Sequence, residues 1–377
     1  MRRGHRSPGV IRSVHQVLPT LSPRDAVGNH TVRLQQVLLG LGVESGIYAH
    51  NIHPEMKHRC APLKELPTDA DVVLYQLSLG SYAAEAWARH DGRKLVNYHN
   101  ITPTELIAGW HPVLGTEVRL GREQMARYAD LCEHAICDSE FNRRELQELG
   151  YRSTETIPVL FDVDSTPPRP STARRIERRR SRGPATQVLF VGRCAPNKCQ
   201  HELVAVVHCL REMFGHDAHL HLVGDESLPA YRRVVGTVVK ESRMARHVTF
   251  YGSAKPDVLA ALYRGADVFC CVSDHEGFCI PVIEAMRHDL PVVAFDSSAV
   301  GDTVGDGGLR LTDKHPVTVA AALDRVAGDA ALARRMVEAG RRRADDFALA
   351  RTTARFAESL SSVLGLAPPA AAPDPLP

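Results

Sequence analysis

The sequence lacks any long apolar segment. No stretch approaches the run of about 18 apolar residues that a membrane-spanning helix requires. The basic start MRRGHRSPGVIRSVHQ is not followed by the apolar segment of a signal peptide, and no short-period repeat is seen. We therefore expect a cytoplasmic protein without a transmembrane segment.

The chain also lacks a strong excess of charge and a disulfide pattern. Its formal net charge of +2 argues against nucleic acid as a partner, because nucleic-acid binders usually carry a clustered positive field. The nine cysteines are an odd number, and Cys270 and Cys271 are adjacent. Two cysteine pairs with four residues between them lack the second pair of a zinc finger. Buried free thiols are expected.

What is present is an alternation of apolar runs and helical patterns over 377 residues, a length that favours two domains. Several runs are continuously apolar, as in strands buried on both faces of a parallel sheet. The predicted strands of the first half are 11–19, 44–49, 71–77, 94–99, 134–139 and 156–160. Those of the second half are 187–192, 218–224, 248–252, 266–273 and 291–295.

The predicted fold class is therefore α/β, with two tandem doubly wound, Rossmann-like domains and a cleft between them. A Pro- and Arg-rich segment separates the two halves and is interpreted as an exposed linker. The predicted boundaries are 1–165 for an acceptor-binding domain, 166–186 for the linker, 187–345 for a nucleotide-sugar-binding domain, 346–366 for a C-terminal helix packing back toward the first domain, and 367–377 for a flexible tail.

Two cations lie near a predicted helix start in VLFVGRCAPNKCQHELVAVV. Arg193 follows a buried strand, and Lys198 stands just before the helix. Cations at a helix N-terminus are unfavourable unless an anion lies among them, because the helix dipole is positive there. A phosphate or diphosphate would supply that anion, whereas pairing with acidic neighbours or exposure to water explains the cations equally well on this stretch alone.

The stretch SDHEGFCIPVIEAM places two glutamates around a helix start. Glu276 lies in the loop after a buried strand, where open α/β sheets bind ligands. Pro281 suits the first turn of a helix, which puts Glu284 about one turn into it. A helix-dipole carboxylate or a loop charge explains one of these residues, but neither explains the pair.

With GR…P.K after the first strand of the second half, then E-G-F-x-x-P-x-x-E-A-M and P-V-V-A, the chain resembles the retaining glycosyltransferases of the GT-B fold, in particular glycosyltransferase family 4. The resemblance extends over most of the chain, including DLCEHAICDSEFNRRELQELG and TIPVLFDVD. It implies a nucleotide-diphosphate sugar, UDP- or GDP-linked, as donor substrate and no required cofactor.

The resemblance also implies roles for individual residues. Arg193 and Lys198 would hold the donor diphosphate, Glu284 the ribose hydroxyls, and Glu276 would lie at the donor sugar, with His99 over it. The catalytic residues implied are His99, Glu276, Arg193 and Lys198. The implied donor-binding residues are Gly28, Arg193, Lys198, Gly277, Phe278, Cys279, Ile280, Pro281 and Glu284, with backbone amides of 278–282 near sugar and phosphate. Asn29 and His30 are the candidate acceptor-binding residues.

Two departures from the family concern cysteines. The family commonly has glycine where this chain has Cys199 and Cys279. If the backbone needs a positive φ there, a side chain would narrow the approach to phosphate or sugar and alter donor fit.

The expected chemistry is a front-face retaining transfer, in which the leaving diphosphate takes the acceptor's proton and cations stabilise its charge. No metal is expected, because Asp69 and Asp71 precede a strand instead of ending one. A polar acceptor such as a sugar, an aminocyclitol or another natural product is favoured. A cell-surface polysaccharide or lipid-linked glycan, with weak peripheral membrane contact, stays open. A sugar-nucleotide epimerase of the same fold, or a nucleotide-sugar-binding protein without turnover, would also fit the architecture.

Overall fold

The computed structural model describes residues 10–23, 25–162 and 186–367. Nearly all of the predicted linker 166–186 and of the predicted tail 367–377 lies outside these residues. Within them, strands form two separate parallel sheets, and all nine cysteines are free thiols. No helix of the described chain is both long enough and apolar enough to cross a membrane.

The first sheet has seven strands in the order β3-β2-β1-β4-β5-β6-β7. Its strands are β1 Val14–Leu21, β2 Ile47–Ile52, β3 Ala61–Pro62, β4 Val72–Leu77, β5 Arg93–Tyr98, β6 His134–Cys137 and β7 Thr154–Thr156. The helices that follow these strands in the chain are α1 Ala26–Gly40, α2 Tyr82–Arg89, α3 Thr104–Ile107, α4 Pro112–Arg127 and α5 Glu140–Glu148.

The second sheet has six strands in the order β10-β9-β8-β11-β12-β13. Its strands are β8 Thr186–Val191, β9 Ala218–Val223, β10 Val248–Phe250, β11 Val268–Cys271, β12 Val292–Phe295 and β13 Leu309–Leu311. The helices are α6 Gln200–Glu212, α7 Pro229–Glu241, α8 Pro256–Gly265, α9 Ile280–Arg287, α10 Val300–Val304, α11 Pro316–Gly328, α12 Ala330–Asp345 and α13 Leu349–Leu364.

The central strands explain why the chain forms parallel sheets. Strand β4, with the sequence VVLYQL, is buried at every position, as is β11, with the sequence VFCC. A strand covered on both faces needs apolar side chains on both, so the runs are continuous instead of alternating. The helices that connect parallel strands pack on the two faces of the sheet and bury these side chains. The predicted fold class of two doubly wound parallel α/β sheets is confirmed.

Strand β7 is shorter and earlier than the predicted strand 156–160. Ile157 donates a last ladder hydrogen bond to the carbonyl of Cys137 at 3.0 Å. Pro158 follows and has no N–H to continue the pairing. The short edge strands β3 and β13 were not predicted, because two or three residues carry little periodicity.

The chain divides into two compact units. The first contains residues 10–101, 117–161 and 349–367 of the described chain, and the second 102–116, 162 and 186–348. Helix α13 belongs to the first unit, where Phe356, Leu360 and Leu364 are buried in the core beside Leu34 and Leu38 of α1.

The segment 102–116 lies in the second unit, whereas the sequence analysis assigned it to the first domain. Helix α3 packs against the 3-10 turn Pro196–Lys198. The indole of Trp110 meets the ring of Tyr231 edge-on, with centroids 5.3 Å apart. Local sequence does not reveal such long-range packing.

Candidate functional site

In the second unit, two loops at the carboxyl ends of β8 and β11 are held together by Asn197. The side-chain amide of Asn197 donates to the carbonyl of His275 at 3.0 Å, and its backbone carbonyl accepts from the N–H of Asp274 at 2.9 Å. The loops therefore present Lys198 and Glu276 to each other, although the two residues are 78 positions apart in the chain.

Glu276 is a buried carboxylate with three different polar neighbours. One carboxylate oxygen accepts from the ammonium of Lys198, and the other accepts from the hydroxyl of Ser273 at 2.9 Å. Its backbone N–H donates to Ser298 Oγ at 2.8 Å. These bonds compensate for the loss of hydration and fix the direction of the carboxylate.

Arg193 differs from Lys198 in having no internal partner. Its side chain is exposed, and within the described residues its guanidinium makes no ion pair or hydrogen bond. The backbone carbonyl of Arg193 accepts from the side chain of Gln200, the first residue of α6, at 2.9 Å. The guanidinium is thus available for an anion beside the start of that helix.

Helices α6 and α9 begin in an unusual way. Their N-cap residues, Cys199 and Cys279, both adopt the left-handed conformation, with φ of 54° and 77° respectively. Neither side chain accepts a hydrogen bond from its own helix. At these two positions the family that the sequence resembles commonly has glycine. Both cysteines therefore occupy a conformation that glycine adopts more easily.

No side chain caps α6 or α9, but the backbone carbonyls of Cys199 and Cys279 accept from the N–H groups of Glu202 and Val282 at 2.9 and 3.1 Å respectively. Pro281 occupies the first turn of α9, as predicted, and has no N–H of its own. Ile280 and Gly277 are half-buried beside it. A helix start of this kind attracts anions through its dipole and its N–H groups.

Glu284 has a separate environment on α9. Its carboxylate accepts from the hydroxyl of Tyr263 at 2.6 Å. The ring of Tyr263 stacks on that of His288 with centroids 5.0 Å apart. Burial raises the pKa of Glu284, against the opposing effect of the Tyr263 hydroxyl. Glu284 and Glu276 therefore have different partners, although one short motif contains both.

Phe278 anchors the loop between these glutamates. Its backbone carbonyl accepts from the hydroxyl of Thr303, and its buried ring meets Phe347 edge-on at a centroid distance of 5.3 Å. The loop is consequently tied to α10 and to the residues after α12, which limits how far it can move.

A thiol cluster adjoins Glu276. Cys271, at the end of β11, and Cys279 lie close enough for their sulfur atoms and a Glu276 oxygen to be within 4.8 Å of one another. A hydrogen bond from the Cys279 thiol lowers the pKa of Cys271, while that bond and burial raise the pKa of Cys279. The sequence predicted buried free thiols, and an effect of Cys279 on donor fit, but the spacing of Cys271 and Cys279 does not show that they converge.

In the first unit, the predicted residues Gly28, Asn29 and His30 lie at the start of α1. The backbone N–H of Gly28 donates to the carboxylate of Asp25 at 2.9 Å, so this N–H already has an anionic partner. A Cβ at Gly28 would lie 2.9 Å from the carbonyl oxygen of Ser22, which favours glycine there. Asn29 is exposed.

His30 lies in the interior. Its side chain is fully buried, accepts from the N–H of Leu160 at 2.9 Å through Nδ1, and donates from Nε2 to Asn97 Oδ1 at 2.7 Å. Burial holds the pKa of His30 well below its usual range. This is the environment of a structural histidine and differs from the predicted acceptor contact. His30, Leu34 and Leu38 lie four residues apart from one another along the helix, a spacing that already indicates a buried helix face.

His99 follows β5, and the hydrogen bonds around it have a defined direction. The carbonyl of Thr31 can only accept, so Gln16 presents Nε2 to it at 3.0 Å and Oε1 to Gln76 Nε2 at 2.7 Å. Gln76 then presents Oε1 to His99 Nε2 at 2.7 Å, and Asp138 Oδ2 meets His99 Nδ1 at 2.8 Å. Both ring nitrogens face side-chain oxygens, so hydrogen bonds on both sides hold the ring in one orientation.

The structure thus brings Lys198 and Glu276 into direct contact and leaves Arg193 exposed beside the same turn. The residues that position these side chains were not predicted. Asn197, Ser273 and Ser298 hold the loops of Lys198 and Glu276, and Tyr263 holds Glu284. Asn197, next to Lys198, and Ser273, three before Glu276, were within the motifs. Tyr263 carried no such signal.

Comparison with known proteins supports the architecture. The chain superimposes on the crystal structure of Anabaena HepE in complex with UDP and glucose with a TM-score of 0.74 and 16% sequence identity, covering 93% of this chain and 100% of that one. At this identity the similarity concerns the fold. With the two parallel sheets, it defines the class of the molecule as an α/β protein of the GT-B fold.

The family model for glycosyl transferases group 1 matches residues 173–343. Over these residues, which are less than half of the chain, the sequence is similar to glycosyl transferases of that group, in agreement with the glycosyltransferase resemblance seen in the motifs.

Two curated relatives show how far the similarity in sequence extends. A D-inositol 3-phosphate glycosyltransferase from Nocardia farcinica is 29% identical over 253 residues, which are 65% of this chain and 55% of that protein. A GDP-mannose-dependent alpha-(1-6)-phosphatidylinositol dimannoside mannosyltransferase from Mycobacterium tuberculosis is 27% identical over 246 residues, 64% of this chain and 59% of that protein. The chain therefore matches less than two thirds of either relative's length.

Proposed function

We propose that the protein is a retaining glycosyltransferase of family 4. It transfers a hexosyl group from a nucleotide-diphosphate sugar to a hydroxyl of a polar acceptor, in the cytoplasm. The observation that carries this proposal is the pair of uncapped helix starts beside Arg193 and Lys198 in the second unit. Together they concentrate positive charge and N–H donors where a diphosphate needs both.

The donor diphosphate lies, in this proposal, among Arg193, Lys198 and the backbone amides at the start of α9. Arg193 supports this role because it is exposed and its guanidinium has no partner within the described chain. Lys198 is held by Glu276, so its ammonium has a fixed position before the donor arrives. Fixed charges stabilise a leaving group without the cost of reorientation.

Glu284 binds the ribose hydroxyls and Glu276 lies at the donor sugar. For Glu284, the support is its half-buried carboxylate, one oxygen of which is already oriented by Tyr263. For Glu276, the support is a carboxylate clamped at both oxygens. Phe278, Gly277, Ile280 and Pro281 shape the loop and helix start between them.

The reaction proceeds at the front face of the sugar. The leaving diphosphate takes the proton of the acceptor hydroxyl, while Arg193, Lys198 and the helix starts stabilise the charge that develops on it. His99 contributes as a positioning residue. Both nitrogens of its ring are hydrogen-bonded, to Asp138 and Gln76, so the orientation of the ring is fixed. Arg193 and Lys198 supply the electrostatic stabilisation, so the transfer needs no metal.

The acceptor is a cyclitol or sugar hydroxyl. One relative is named for D-inositol 3-phosphate and another for a phosphatidylinositol dimannoside, so a soluble cyclitol and a lipid-linked glycan are the acceptor classes to compare. The product belongs to carbohydrate or natural-product biosynthesis.

The test is a panel of UDP-, GDP- and ADP-sugars, assayed for thermal stabilisation of the protein and for slow donor hydrolysis. UDP-glucose and GDP-mannose are the first two members. We expect one nucleotide to stabilise the protein and to be hydrolysed slowly, and an added cyclitol or sugar to accelerate its consumption with retention of anomeric configuration by NMR.

Different outcomes of the panel would indicate a different function. Stabilisation without hydrolysis or transfer would identify a binding protein, and conversion of the donor into its epimer would identify an epimerase. If no nucleotide sugar stabilises the protein, the assignment of the donor site is wrong.

Glu284→Ala should weaken donor binding, whereas Glu276→Gln should mainly lower turnover. Negligible effects of both changes would remove the proposed roles of these residues.

A further inference from the structure

The thiols of Cys271 and Cys279 and the carboxylate of Glu276 converge in the interior of the second unit. One ligand atom from each residue lies within 4.8 Å of the other two. Cys271, Cys279 and Glu276 are 0%, 7% and 8% exposed respectively. We propose that these residues form a binding site for a thiophilic divalent cation, with zinc as the ion that fits their chemistry.

The distances fit tetrahedral coordination after a small contraction. With metal–sulfur bonds of about 2.3 Å and a metal–oxygen bond of about 2.0–2.2 Å, neighbouring ligand atoms are separated by roughly 3.5–3.8 Å. The observed upper limit of 4.8 Å therefore requires shifts of about 1 Å or less, shared among three side chains. Three protein ligands leave a fourth position for water or a substrate atom.

The backbone at Cys279 is consistent with a role for its side chain. Its φ of 77° and ψ of 61° are left-handed, a conformation that is unfavourable for an L-residue and that glycine adopts freely. A cysteine here carries this strain and gains no helix cap, since its side chain accepts nothing from α9. What the side chain does gain is proximity to Cys271 and Glu276.

The charges around the cluster also suit a cation. On binding, the two thiols release their protons to solvent, so two thiolates and one carboxylate carry three negative charges. The divalent ion and the ammonium of Lys198, which contacts Glu276, balance them. The hydroxyl of Ser273 donates to Glu276 Oε1 at 2.9 Å and would orient this ligand, and Ser273 Oγ lies 3.3 Å from Cys271 Sγ.

Occupancy would change the donor site. The cation shares the carboxylate of Glu276 with Lys198, so a bound ion alters the residue pair that we place at the donor sugar and diphosphate. This consequence rests on the proposed function, whereas binding of the cation itself does not. The cation and the donor are therefore expected to weaken each other's binding.

The experiment is a titration of the reduced full-length protein with Co²⁺, a spectroscopic substitute for zinc. We expect one equivalent to bind with the near-ultraviolet absorption of a thiolate-to-cobalt bond, and Zn²⁺ to displace it. Cys271→Ser and Cys279→Gly should each abolish this absorption. Cys279→Gly is the more stringent variant, because glycine suits the left-handed conformation and the protein should fold at least as well as before.

The matched control is Cys270→Ala. Cys270 is equally buried and adjacent in β11, but its side chain points to the opposite face of the sheet. The absorption should persist in this variant. Absence of the absorption in the parent protein, or its persistence in both Cys271→Ser and Cys279→Gly, would overturn the cation site.

A separate measurement of nucleotide-sugar binding keeps the two proposals apart. Isothermal titration with the donor chosen by the panel is run with and without Zn²⁺. Cobalt binding without donor binding would contradict the proposed function alone. Donor binding without thiolate absorption would contradict the cation site alone.

Discussion

The helix starts at the candidate donor site differ from those of the first unit. In the first unit, α1, α2 and α5 begin after Asp25, Ser81 and Ser139, whose extended backbones allow each side chain to accept from the helix. In the second unit, α6 and α9 begin after left-handed cysteines that accept nothing from the helix. These helix starts of the first unit are thus capped by their own side chains, whereas the donor binding that we propose would place an anion at the two helix starts of the second unit.

Side-chain caps are absent from several helices of the second unit, since α7, α8 and α10 also begin without one, whereas Asp329 caps α12 by accepting from the N–H groups of Ala331 and Leu332. What distinguishes α6 and α9 is the left-handed backbone of their N-cap residues, because the N-cap residues of α7, α8 and α10 have negative φ. These two helix starts coincide in sequence with Arg193, Lys198 and the two glutamates, where we propose that an anionic ligand binds.

The largest expected effect comes from removing a cation at the uncapped starts. Arg193→Ala deletes charge-assisted hydrogen bonds worth about 1.5–3 kcal/mol, which corresponds to about 10- to 150-fold weaker donor binding. Stability should change little, since Arg193 is exposed. Isothermal titration with the donor measures the affinity. Arg233→Ala, at another exposed arginine of the same unit, is the control, and equal affinities for both variants would contradict the diphosphate role.

Glu284→Gln should weaken donor binding about tenfold, because it removes a charged hydrogen-bond acceptor for the ribose hydroxyls. Because burial raises the pKa of Glu284, protonation of the parent carboxylate begins at a higher pH than for an ordinary glutamate of pKa 4.5. Donor affinity of the parent should therefore fall as pH is lowered toward that raised value, and the variant should not show this dependence.

Affinity measured against pH for both proteins checks this expectation. Glu241→Gln, at an exposed glutamate of α7, should retain the parent affinity and pH profile. A Glu284→Gln profile that matches that of the parent would rule out Glu284 as the titrating group.

In the first unit, Ser81→Ala should lower the free energy of unfolding by about 1 kcal/mol, because α2 loses its N-cap. Ser81→Gly, which keeps the backbone freedom that an N-cap needs, should cost only a few tenths of a kcal/mol. Urea unfolding of both variants measures the difference. Unchanged stability of Ser81→Ala relative to the parent would show that the Ser81 hydroxyl does not stabilise the helix start.

The smallest effect has the opposite sign. Cys279→Gly and Cys199→Gly should each raise the free energy of unfolding by about 0.5–1 kcal/mol, because glycine relieves the left-handed strain. Cys270→Gly, in the middle of a buried strand, should instead lower it. Urea unfolding distinguishes the three, and a loss of stability at Cys279 would mean that its thiol contacts outweigh the strain.

Much of the architecture could be predicted because the information is local. The continuous apolar runs of β4 and β11 predict buried parallel strands, and Pro281 predicts a helix start. The sequence did not predict the left-handed backbone at Cys199 and Cys279. It raised a positive φ only as a possibility, because the family commonly has glycine at those positions.

The contacts that complete the candidate site could not be predicted in this way. Lys198 and Glu276 pair across 78 residues, and Tyr263 reaches Glu284 from another helix, so neither contact leaves a trace in local spacing. His30 was a candidate acceptor-binding residue, but its side chain is buried. A polar residue next to a glycine loop suggested a ligand contact, but tertiary packing made the ring part of the core.

Helix α13 makes the first unit discontinuous in sequence. Phe356, Leu360 and Leu364 complete a core that begins with Val14, and Phe356 lies against the ring of His30 with centroids 5.3 Å apart. During synthesis, the ribosome must therefore finish the entire second unit before the first can close its core. The first unit begins first and is completed last, so the order of translation is not the order of folding.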